Sequence, residues 1–231
     1  MALKIINRRL SVQEFADYLK SYAFPTPTPH KLVLHHTWRP TTETWQGETS
    51  ILALKRYYEH KGWPAGPHIF VAEDGIWLFS PMNRDGIHAG TLNTQSIGLE
   101  VVGNYDHTIW LGQTKFNALA AISLLMKRLN LTSKQLHFHR EVSTQSCPGY
   151  AISKTWLLRE LERFESKYLK VKSNMKSVEA RSEVMVPLDA VEAVAFVRKY
   201  ELFTIQTQKD VEEATRFYRF YQLIQQKNDT L

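Results

Sequence analysis

Apolar spacing divides residues 1–168 into alternating helix and strand patterns. Within Ser11 to Phe24, Phe15, Tyr18 and Leu19 line one helical face, and the Pro-Thr run from Pro25 to Pro29 ends that pattern as a linker or extended entry. Lys31 to Thr37 is rich in strand formers, and Thr49 to His60 sets Ile51, Leu54 and Tyr58 at helical spacing. His68 to Ala72 and Ile76 to Ser80 flank Asp74-Gly75, a turn dipeptide that predicts an antiparallel hairpin. Ser96 to Gly103 reads as another strand, followed by a helical face of Phe116, Leu119, Ile122, Met126 and Leu129. Leu136 to His139 is a short apolar segment opening into a polar loop that ends at Cys147-Pro148-Gly149. Ser153 then caps a helix that turns Leu157, Leu161, Phe164 and Tyr168 inward. Strands interleaved with helices, one hairpin among them, predict an α/β fold: a mixed sheet covered by helices.

Beyond residue 168 the pattern changes. The lysine-rich stretch Lys167 to Lys176 reads as a linker or an extended helix end, and residues 169–186 are assigned as the linker. Residues 187–231 form a helical appendage, with Ala190, Val194 and Val197 on one face and Val211, Ala214, Phe217 and Tyr221 on another. Its aromatic residues Phe217, Tyr218, Phe220 and Tyr221 suit packing on the main domain or on a partner better than a sugar platform.

Composition narrows the class. At 231 residues, 43% hydrophobic and 23% charged, the chain has the balance of a folded domain rather than of a disordered tail. No run approaches the roughly 18 apolar residues of a membrane span. Met1 to Leu10 lacks a secretory apolar core, which predicts synthesis in the cytoplasm and delivery to an outside target by a holin or a secretion device. The net charge of +6 favours polyanionic partners, the bacterial wall among them. Scattered basic residues and the lack of a nucleic-acid motif argue against DNA or RNA.

The single cysteine cannot form an internal disulfide, so Cys147 is a buried filler, a nucleophile or a metal ligand. Histidine and thiolate are natural zinc donors, and three protein ligands with one open position mark a catalytic site. His139 and Cys147 bracket a loop long enough to bring both side chains to one ion, and His35, at the end of a distant strand, can supply the third donor. Singly, each residue reads as readily as a strand-end polar group or a core filler. The combination of His35-His36-Thr37, Ser96-Ile97-Gly98-Leu99-Glu100 and His139-Arg140 leading to Cys147-Pro148-Gly149 favours the metal.

Together these segments, within Leu32 to Leu161, resemble the type-2 N-acetylmuramoyl-L-alanine amidase superfamily, which includes T7-type phage lysozyme, cytosolic anhydromuropeptide amidases and peptidoglycan-recognition proteins. The resemblance implies Zn2+ held by His35, His139 and Cys147, and hydrolysis of the amide joining N-acetylmuramic acid to L-alanine in peptidoglycan. It implies Glu100 as the general base. His88, in a run similar to the family's Trp-His-Ala-Gly segment, is expected to contact substrate. His68 is expected to do the same or to orient Glu100, and His36 is expected to join them at the substrate side or to support the ligand His35. Trp38 and Trp63 are candidates for stacking on substrate or for packing.

Two departures are informative. Pro67 stands where T7-type enzymes carry a tyrosine. Gln145 stands where many members carry an oxyanion-stabilising lysine, and a neutral amide donates a hydrogen bond without positive charge. An endolysin-like lytic enzyme is the reading these features favour. The alternatives are a non-catalytic peptidoglycan-binding module and a cytosolic amidase that recycles soluble anhydromuropeptides.

Overall fold

A computed structural model describes residues 3–179 and Val211, with side chains for residues 3–166 and Val211. Of the linker expected over residues 169–186, residues 169–179 continue the last described helix, the extended-helix alternative; residues 180–186 and the appendage expected over 187–231 lie, Val211 apart, outside the described residues. The chain divides into two units, Met1–Ser166 and Lys167–Leu231, and the first carries the sheet.

Six strands form one mixed sheet: β1 (Arg8–Leu10), β2 (Lys31–His36), β3 (Ile69–Ala72), β4 (Gly75–Leu78), β5 (Ser96–Val101) and β6 (Leu136–Phe138). Their order is β1-β4-β3-β5-β2-β6. The pairs β1–β4 and β3–β4 are antiparallel, whereas β3–β5, β5–β2 and β2–β6 are parallel. The helices are α1 (Val12–Ser21), α2 (Glu48–His60), α3 (Gly112–Arg128) and α4 (Lys154–Glu179). This is the α/β architecture that the alternating pattern predicts.

Side chains alternate across each strand, which separates two apolar layers. Leu32 and Leu34 of β2, Ile69 and Val71 of β3, and Ile97, Leu99 and Val101 of β5 face the layer that contains Phe15 and Leu19 of α1, Ile122 of α3 and Leu157 of α4. Phe70 and Trp77 point the other way and pack with Ile51, Leu54 and Tyr58 of α2. His35 and Glu100 alternate with the first set, so they belong to the α2 face.

Local chemistry explains the element ends. Ser11 and Glu14 form a reciprocal capping box that starts α1. The Trp156 N–H donates to Ser153 Oγ at 3.1 Å, the cap expected for α4.

Three details differ from the sequence reading. The hairpin turn is Glu73-Asp74, because Ala72 pairs with Gly75, and Gly75 opens β4. β1 went unforeseen: at three residues, with two arginines exposed, it has too little alternation to read. Phe116 is 39% exposed rather than core and meets Phe164 edge-on at 5.5 Å, while the small residues Ala118 and Ala121 let α3 lie close on the sheet.

Candidate metal centre and cleft

The site grows from the carboxyl ends of the parallel strands, where open α/β sheets leave a crevice. His35 is the penultimate residue of β2, and Glu100 stands opposite it on β5. β6 lies on the other side of β2 and runs directly into a short 3-10 turn that starts with His139. Cys147 returns on the following loop. One ligand atom from each of His35, His139 and Cys147 lies within 4.8 Å of the other two. The fold therefore brings His35 to two residues more than a hundred positions further along the chain.

Contacts around the sulfur are specific. Cys147 Sγ lies 3.6 Å from His35 Nδ1 and accepts the His36 backbone N–H at 3.4 Å. Burial pushes the Cys147 thiol well above its ordinary value, and the nearby Glu100 carboxylate adds to this. Burial first, then neighbouring His88 and His139, holds His35 well below the usual imidazole range. Burial also lowers His139. All three groups are thus arranged to be neutral, and a cation at their centre would reverse the balance for the thiol.

Arg140, quoted in the sequence motif but given no role, holds the loop. Its backbone N–H donates to the Cys147 carbonyl at 2.8 Å. Its guanidinium donates to the carbonyls of Gly149 at 2.8 Å, Ser146 at 3.3 Å and Ile152 at 2.7 Å. Gly149 has φ +107, and a Cβ there would come within 2.3 Å of the Tyr105 carbonyl oxygen. The glycine of Cys-Pro-Gly is what lets the loop close against Tyr105.

The three donors open onto a cleft of about 1090 Å³, lined also by His36, Trp38, Tyr57, Tyr58, Trp63, His88, Glu100 and Gln145. Glu100 is 9% exposed, and burial lifts its carboxyl to about 8. Gln145 is exposed on the loop, with its backbone N–H on Ser143 Oγ. Trp38 (53% exposed), Tyr57 and Tyr150 stand at the rim. Trp63 instead stacks on Tyr58 with the rings 12° apart.

His36, His68 and His88, the other histidines placed near the site by the sequence, are each engaged by protein groups. His36 Nδ1 accepts the Tyr105 backbone N–H at 3.1 Å. His68 is fully buried and does not line the cleft: Nδ1 accepts the Gly98 N–H at 2.9 Å, and Nε2 meets the Arg84 carbonyl at 3.0 Å. His88 lines the cleft, but its nitrogens lie 3.1 Å from His35 Nε2 and 3.2 Å from Ser96 Oγ.

The family model described as N-acetylmuramoyl-L-alanine amidase matches residues 25–150. Peptidoglycan-recognition protein SC1a of Drosophila melanogaster is 32% identical over 125 residues, covering 51% of this chain and 66% of that protein. The match thus takes in just under two thirds of the relative's length. Among solved structures, N-acetylmuramoyl-L-alanine amidase LysC from Clostridium intestinale is similar at 24% identity and a TM-score of 0.49, covering 64% of this chain and 93% of that one. PGRP-SA of Apis mellifera is similar at 17% identity and a TM-score of 0.50, covering 67% and 88%. At these identities the structural likeness concerns the fold.

Proposed function

Because the chain belongs to the N-acetylmuramoyl-L-alanine amidase family, we propose that it uses zinc to hydrolyse the bond between N-acetylmuramic acid and L-alanine in peptidoglycan. The observation that carries this reading is the convergence of His35, His139 and Cys147 at the floor of the cleft.

The residues suit the ion. Two imidazoles and one sulfur are a zinc donor set, and three protein donors would leave a fourth position for water or substrate. The His36 N–H directed at Cys147 Sγ is the kind of partner that steadies a thiolate ligand. When bound, zinc supplies a Lewis acid that polarises the scissile carbonyl and acidifies water.

The other residues would divide the remaining work. Glu100, raised by burial, holds a proton near neutrality and becomes a carboxylate beside a cation. From there it takes the proton of the attacking water and returns it to the leaving alanine nitrogen. Gln145 offers the developing oxyanion a neutral N–H donor. Trp38, Tyr57 and Tyr150 present exposed aromatic faces for the glycan or stem peptide. His68, with both ring nitrogens on backbone groups, and His36, through Nδ1, support the strands and the cysteine loop. The endolysin-like setting, with release to the wall from the cytoplasm, is part of the same proposal.

Gln145 and Pro67 favour a second reading, a peptidoglycan-binding module without turnover. Labelled sacculi separate the two. The amidase reading expects dye release that a chelator abolishes and zinc restores. Tight binding to sacculi without release at any zinc level overturns it, and preference for soluble anhydromuropeptides over sacculi identifies a recycling amidase.

A further inference from the structure

The ring nitrogens of His35 are not equivalent, and the chain that distinguishes them ends at a backbone carbonyl. His35 Nδ1 faces Cys147 Sγ, whereas Nε2 lies 3.1 Å from His88 Nδ1. His88 Nε2 in turn lies 3.2 Å from Ser96 Oγ, and the Ser96 hydroxyl lies 3.0 Å from the Asn93 carbonyl. A carbonyl can only accept, so the Ser96 hydroxyl hydrogen is committed to Asn93. Ser96 Oγ must then accept from His88, which places the His88 proton on Nε2. The lone pair left on His88 Nδ1 takes the N–H of His35 Nε2, and the lone pair of His35 is directed at the cysteine.

The surroundings make the His88 ring fixed rather than adjustable. A Cβ on Gly98 would lie 2.6 Å from the ring, and one on Gly86 would lie 3.0 Å from it, so the ring occupies space that only glycines leave open. Its backbone is held too: Asn93 Oδ1 accepts the N–H groups of His88 at 2.9 Å and Ala89 at 2.7 Å. Asn93 thus holds two members of the relay, His88 through its side chain on the backbone and Ser96 through its carbonyl.

We propose that Asn93, Ser96 and His88 are positioning residues that set the tautomer of His35, so that Nδ1 is presented unprotonated to the metal. This assigns His88 to the zinc centre instead of to substrate, and it rests on the zinc reading above. The physical gain is preorganisation. A His35 that carried its proton on Nδ1 would have to change tautomer or turn its ring before it could ligate, and outer-shell partners of this type change metal affinity by about 10- to 100-fold.

Two measurements test it on the full chain. The first is the nitrogen chemical-shift pattern of the His35 ring in the metal-free protein at neutral pH. A protonated Nε2 with an unprotonated Nδ1 is expected, and the opposite tautomer overturns the relay whatever the metal result. The second is zinc affinity by chelator competition. His88→Phe should weaken binding about 10- to 100-fold. Ser96→Ala removes one hydroxyl and should weaken it about fivefold, the worth of one neutral hydrogen bond. His88→Gln, whose amide oxygen can accept from His35 Nε2, should recover part of the loss. Wild-type affinity in folded Ser96→Ala and His88→Phe overturns the proposal. Failure of the wild type to bind zinc sinks the functional reading instead, and the tautomer measurement keeps the two failures apart.

Discussion

His35 and Glu100 stand opposite one another in the parallel pairing of β2 and β5, on the face of the sheet covered by α2. A candidate metal ligand and the candidate base are therefore held by adjacent backbones. Strand pairing keeps their spacing stiff, which is what a proton transfer beside a cation requires. On the same strands Leu34 and Leu99 point into the apolar layer, so a one-residue slip would exchange the site for core.

Cys147→Ser removes a soft anionic donor and leaves a hydroxyl that stays protonated at neutral pH. Zinc affinity should fall by more than the roughly 10- to 100-fold attributed to outer-shell partners. Elemental analysis after dialysis checks this, and full zinc occupancy with full turnover would remove Cys147 from the centre.

Glu100→Gln keeps the size of the side chain and deletes its proton chemistry. Zinc content should be retained while turnover falls about 10²- to 10⁴-fold. The pH dependence of the metal-free protein supplies an independent check. Folding raises this carboxyl from the usual carboxylate range to about 8, so the folded state binds the extra proton. Stability should decline as pH rises through that interval, because ionising the buried group opposes folding. The glutamine variant should lack this decline in chelator-treated samples followed by urea unfolding.

His68 runs with the opposite sign. Burial holds it near 4 in the fold, and an unfolded histidine titrates near 6.5. Its contribution is present above about pH 6.5 and is lost as pH falls towards 4, to the extent of about 3 kcal/mol. His68→Gln should lower stability at neutral pH and reduce proton uptake on unfolding at pH 5 by roughly one proton. Equal uptake in the two proteins would show that His68 titrates normally.

Arg140→Lys tests the loop that delivers Cys147. Lysine keeps the charge but cannot reach three carbonyls with one planar fork. A loss of about 2 kcal/mol in folding stability is expected, as for lost charge-assisted hydrogen bonds, with weaker zinc retention. Restoring zinc in excess should recover much of the thermal stability by mass action. An unchanged denaturation midpoint would mean that the guanidinium contacts contribute little to the fold.

Most of the fold was legible because burial imposes a period. Phe15 and Leu19, Ile51, Leu54 and Tyr58, and Leu157 and Leu161 recur as helices require, and all are buried. β1 and the exposure of Phe116 escaped the pattern. Three residues cannot show a period, and whether an aromatic at a helix edge is covered depends on what packs beside it. The three candidate donors, whose ligand atoms the fold does bring together, were legible as a combination of short motifs, each weak alone. The contacts of Arg140, Ser96 and Asn93 were not, although Arg140 and Ser96 sit inside those motifs, because hydrogen bonds between side chains and backbone groups leave no trace in residue type.

What the residues by themselves determined is the list of candidate donors and the segments that carry them, since ligand chemistry and hydrophobic period are properties of local composition. Tertiary structure alone decided which nitrogen of His35 faces Cys147 and that His68 and His88 are occupied by their neighbours. It also decided that Glu100 is buried enough to hold a proton near neutrality. Those properties arise from distances between atoms far apart along the chain, and pairing of β2 with β5 and β6 is the step that sets them.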